Sequence, residues 1–72
     1  MPMEYLLVHC SEKRRVVLDG TAQGQTGDLL ELAAGSYTVT LDPKTGCRPP
    51  RHEVVLANTT VLKPCEVTFD VA

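Results

Sequence analysis

Two histidines and three cysteines are the residues of this chain best equipped for chemistry. His9, Cys10, Cys47, His52 and Cys65 carry imidazole nitrogen or thiol sulfur, the donors that zinc takes. Zinc sites draw ligands in close pairs such as Cys-x2-Cys, because two ligands on one turn set the tetrahedral angle at little cost. His9 and Cys10 are adjacent in a strand-like run, so they point to opposite faces. Cys47 and His52 are separated by Pro49 and Pro50. The spacing therefore predicts no metal site. If the chain were a small metal- or redox-responsive protein, Cys47 and His52 would be the residues to carry it. A cysteine nucleophile would also need a neighbouring base oriented by a third group, and nothing in the spacing supplies one. Cys10 and Cys65 are expected to be small core residues, His9 and His52 to be solvated, and Cys47 to be the exposed thiol.

Gly20, Gly24 and Gly27 follow a strand-like run in the manner of a phosphate loop. They lack the Gly-Lys-Ser/Thr ending, and no helical pattern follows whose first turn could hold an anion. Residues 20–27 are expected to be a turn-rich connection. Asn58-Thr59-Thr60 matches the N-glycosylation pattern and reads as a polar turn, where Asn tolerates left-handed geometry. Lys13-Arg14-Arg15 reads as a solvated strand end, and Asp28 with Glu31 as a solvated edge. No serine, histidine and acid form a recognisable motif, so the expectation is a protein that is not an enzyme and uses no cofactor.

These residues must be positioned by a small body. The 72 residues allow one domain over 1–72, near the lower limit for a chain that folds around its own core. Hydrophobic residues at 43% fit a globular protein, and with Tyr5, Tyr37 and Phe69 the only aromatics the core must be mostly Val and Leu. A net charge of −2 is too balanced to imply nucleic acid or an anionic membrane as partner. The N-terminal run has no basic flank and is interrupted by His9, unlike a signal peptide or membrane span. With an odd number of cysteines, this predicts reduced thiols and a cytoplasmic protein.

Period-two alternation places the elements. Tyr37, Val39 and Leu41 alternate with Ser36, Thr38, Thr40 and Asp42, a strand with one apolar face. Cys65, Val67, Phe69 and Val71 do the same against Glu66, Thr68 and Asp70. Residues 5–10 and 15–19 read as two strands joined in a hairpin, the second ending in an Asp19-Gly20 turn signal. A short strand over 28–32 points Leu30 and Leu32 inward, and another over 53–57 has Val54 and Leu56 in phase. Val61 and Leu62 would extend a strand. Residues 43–51, with three prolines, form a connection that leaves the sheet or follows its edge. The prediction is an all-β, single-domain antiparallel β-sandwich of about six to seven short strands.

The order RVVLDG, TAQGQTG, DLLEL, AAGSYTVTLD, HEVVLA and CEVTFDVA resembles the PEGA-like modules, small β-sandwich domains, over residues 15–72. These are related to the transthyretin-like and carboxypeptidase-regulatory-like sandwiches. Thr26-Gly27 stands where the family has Thr-Pro, and Leu32-Ala33-Ala34-Gly35 replaces the Pro-Glu-Gly-Ala string. The resemblance implies a non-catalytic interaction or spacer module. Recognition usually sits on loops of a rigid sheet, so a protein partner is expected to meet residues 43–51, with Lys44, Arg48 and Arg51, the glycine loop, or an edge strand.

Overall fold

A computed structural model describes residues 3–43 and 45–71. It contains eight strands and, among the described residues, no helix. They are β1 (Met3–Cys10), β2 (Arg15–Leu18), β3 (Thr21–Gln25), β4 (Leu29–Ala33), β5 (Gly35–Asp42), β6 (Cys47–Arg48), β7 (His52–Leu56) and β8 (Cys65–Val71). Two four-stranded sheets result, ordered β4-β1-β8-β6 and β3-β2-β5-β7. Leu6, Val8, Leu30, Val67 and Phe69 of the first share one buried cluster with Val16, Leu18, Val39, Leu41 and Leu56 of the second. These side chains are the apolar phase of their strands, so burial of that phase fixes each register. Tyr37 and Val54 are half-buried and pack against the cluster, whereas Val71 is half-buried at the strand's end.

The expected β1–β2 hairpin does not form. β1 pairs with β4 and β8, while β2 pairs with β3 and β5 in the other sheet. The connection between them crosses from one sheet to the other and is fastened to residues 26–27. Thr26 exchanges backbone and hydroxyl hydrogen bonds with Arg14, and the Gly27 N–H donates to Val8 O at 2.9 Å. A proline at 27 would have no such hydrogen to give.

Residues 20–27 are not simply a connection, because β3 occupies most of them. Asp19 and Gly20 have φ of 49° and 84°, and Leu18 pairs with Thr21. That is a two-residue turn with both central residues at positive φ, the type whose twist matches a hairpin. The register shifts between Val16 and Val17, marking a bulge before Gly24. At Gly24, φ is 139° and an added Cβ would lie 2.7 Å from Leu30 Cδ2. The glycine is there because Leu30 of the opposite sheet fills its side-chain space.

The first sheet is mixed, correcting the wholly antiparallel expectation. β8 runs parallel to β1, with Leu6 opposite Cys65 and Cys10 opposite Phe69. The preceding connection explains the direction. Tyr5 N donates to Thr59 Oγ1 at 2.7 Å, and Thr59 N and Oγ1 donate to Glu4 Oε1 at 2.8 and 2.6 Å. These bonds pin the connection at the start of β1, so β8 sets out from the same end. Glu4 is only 7% exposed, and the Thr59 hydroxyl and then its amide hold the carboxyl below the usual carboxylate range.

Candidate functional site

The connection over residues 43–51 is held by a residue expected to be solvated. Lys13 and Arg15 are exposed, but the Arg14 side chain is only 9% exposed. Its Nη1 donates to Pro43 O at 2.7 Å, Thr45 O at 2.8 Å and Cys47 Sγ at 3.1 Å. Its other side donates to Glu12 Oε2 from Nη2 at 2.8 Å and from Nε at 3.2 Å. The Glu12 hydrogen bond is the main cause of a guanidinium pKa raised above its ordinary value, so the group stays cationic. This fork gives the loop a fixed path without a long ladder. Among the described residues of the loop, only Cys47 and Arg48 join a ladder, pairing with Val71 and Asp70 of β8.

Of the expected binding residues, Arg48 and Arg51 are exposed and Lys44 lies outside the described residues. Arg48 stands opposite Asp70 on the ladder, so its charge has an acidic neighbour, and Arg51 immediately precedes β7. The described residues of the loop thus present both basic groups, Arg48 beside an acidic neighbour on β8.

The five candidate metal and thiol residues separate. Cys47 is buried at 8% exposure under Arg14, not the exposed thiol of the loop. Cys10 and Cys65 are half-buried and pack against the core, and burial, with the Glu66 charge second, pushes the Cys65 thiol up. His9 lies on the outer face with Nε2 2.7 Å from Glu66 Oε1. His52 is not simply solvated: its Nε2 lies 2.8 Å from Thr68 O, and its ring meets Phe69 edge-on at a centroid distance of 4.7 Å. Since a carbonyl can only accept, His52 donates there and ties β7 to the opposite sheet. Among the described residues no three His, Cys, Asp or Glu side chains converge to hold a metal ion. Beside His9 and Cys10, an open groove of about 370 Å³ is lined also by Lys13, Thr68 and Asp70.

Val61 and Leu62 do not extend a strand. Thr60 and Lys63 exchange backbone hydrogen bonds, each N donating to the other's O at 3.1 Å, and Lys63 N also donates to Thr60 Oγ1 at 2.9 Å. Val61 and Leu62 form the tip of this turn, 56% and 92% exposed. Neither is a usual turn residue, since Gly, Pro, Asn, Asp and Ser supply the geometry elsewhere. An apolar pair looks like strand when only alternation is considered. The surrounding Asn-Thr-Thr and Lys-Pro were the available signals that the pair lay in a turn.

No protein family, characterised protein or solved structure matches the chain.

Proposed function

We propose that this protein is a non-catalytic interaction module, a β-sandwich of the PEGA-like kind, which docks a protein partner through the Val61-Leu62 tip. The observation that carries this reading is Leu62, 92% exposed in a turn closed by reciprocal backbone bonds. An apolar pair in a floppy tail would lose its freedom on binding, whereas an ordered turn has already lost most of it. Burying a leucine side chain is worth roughly 1.5–3 kcal/mol, enough for a small anchor if the partner supplies an apolar cleft. Arg48 pairs with Asp70 at the far end of β8, whereas this turn precedes the strand's start at Cys65, so the docking element of this proposal is the turn and not the loop that carries Arg48 and Arg51.

The test is capture of partners from native lysate with wild-type protein and with Leu62→Asp, followed by mass spectrometry. Leu62 is so exposed that the variant should melt like wild type, so a changed capture reports binding and not folding. A set of proteins lost specifically with Leu62→Asp supports the tip as the docking element. The same set captured by both proteins would remove it from that role.

A further inference from the structure

The second sheet ends in a strand whose outer edge is open. β7 pairs on one side with β5, from Gly35 opposite Leu56 to Val39 opposite His52. On its other side no strand pairs with it among the described residues. An open row of backbone donors and acceptors is a template for one more strand, and proteins ordinarily blunt it with bulges, prolines or very short strands. Two of the other edges show such features. β3 carries the bulge, with Gln23 as its extra residue beside Gly24, and β6 has two residues followed by Pro49 and Pro50. β7 has neither, and its outward-facing Val55 is 71% exposed.

The residue order of β7 suits pairing with itself. When two copies overlap fully and antiparallel, His52 faces Leu56, Glu53 faces Val55 and Val54 faces itself on the two-fold axis. No like charges stand opposite one another, and the methyl groups of each Val55 lie against the stem of the partner's glutamate. The same operation on β4, the remaining edge, sets Glu31 directly against Glu31, which disfavours the pair. We infer that β7 pairs with β7 of a second copy of this chain, in the register centred on Val54, to make a continuous eight-stranded sheet across a two-fold dimer. This surface is separate from the turn tip, so the inference stands independently of the docking reading.

The experiment is sedimentation equilibrium over a concentration series for wild type, Val55→Glu, Val55→Lys and Leu62→Asp. Val55 is largely exposed, so both of its variants should fold. In the inferred register Val55→Glu places a carboxylate against Glu53 of the other copy, twice by symmetry. Val55→Lys places an ammonium there instead. The expected result is a wild-type species of twice the chain mass, lost in Val55→Glu, retained in Val55→Lys and retained in Leu62→Asp. A wild-type protein that stays monomeric overturns the inference. So does loss with both Val55 variants, which would mean another register, or with neither, which would mean another surface. Loss with Leu62→Asp would move the interface to the turn and overturn it equally.

Discussion

Replacing Phe69 by alanine should bring this domain to the edge of unfolding. Phe69 is 1% exposed at the middle of the apolar phase of β8, opposite Cys10 of β1 and edge-on to His52 of β7. Truncating a buried phenylalanine costs about 3–5 kcal/mol, because transfer energy is lost and the cavity fills only partly. The chain's 72 residues, at roughly 0.05–0.15 kcal/mol each, give a total stability of about 4–11 kcal/mol. The substitution therefore removes about a quarter of what holds the fold at the least, and at the low end of stability as much as all of it. Phe69→Leu keeps most of the volume and should cost less than about 1.5 kcal/mol. Urea unfolding followed by circular dichroism measures both, with the midpoint read at constant slope so that a change reports stability alone. Thermal melts should agree, since each kcal/mol shifts the midpoint by about 4–8 °C in domains of this size. If Phe69→Ala fell within about 1 kcal/mol of wild type, its side chain could not lie between the two sheets.

The thiols should label in an order opposite to the loop-based expectation. With N-ethylmaleimide and peptide mapping under native conditions, buried Cys47 should react last, and the rate at Cys65 should climb steeply only above the usual thiol range; a fast Cys47 would refute the Arg14 packing. Acidification should uncover Glu4. A carboxyl lowered in the folded state stabilises above its unfolded value and loses that contribution as pH falls through the folded value. The gap in melting temperature between wild type and Glu4→Gln should then be widest at neutral pH and close toward acid, whereas a gap independent of pH would show that the Glu4 charge contributes nothing.

Strands whose two faces meet different surroundings were readable from local order alone. The alternation over 65–71 matches β8 to the residue, and that over 36–42 falls one residue short of β5. Where a strand has no apolar face, the signal vanishes. β3 is exposed at every residue but Gly24, and the glycine's contribution is an absence of side chain into which Leu30 packs. No pattern in TAQGQ could announce that. Pairing was less legible still, because it depends on residues far apart in the chain. The Asp19-Gly20 signal marked a true hairpin turn, but only the fold reveals that the strand it leads into is β3, and that β1 and β2 lie in different sheets. The parallel partnership of β1 and β8 depends on Thr59 reaching Glu4 and Tyr5, a contact invisible to any local window.

Arg14 shows why charge composition read as solvent exposure went wrong at the site. Residues 43–47 present Pro43 O, Thr45 O and Cys47 Sγ toward one point, three acceptors close together. Such a point can be filled only by a group that donates in several directions and accepts none, and among side chains the planar guanidinium fits best. Glu12, two residues away, takes the remaining edge of the fork. The basic run thus contains one structural cation between two solvated ones, and the thiol beneath it is closed off as a consequence. The same reasoning sorts the rest of the surface. Side chains with chemistry to offer are engaged within the fold: His52 on Thr68, Glu4 on Thr59, Cys47 under Arg14. Groups left with less to do inside the molecule are apolar and ordered, Leu62 on its turn and Val55 on its open edge. Both proposals rest on these positions because each is an exposed apolar side chain on backbone that is itself hydrogen-bonded.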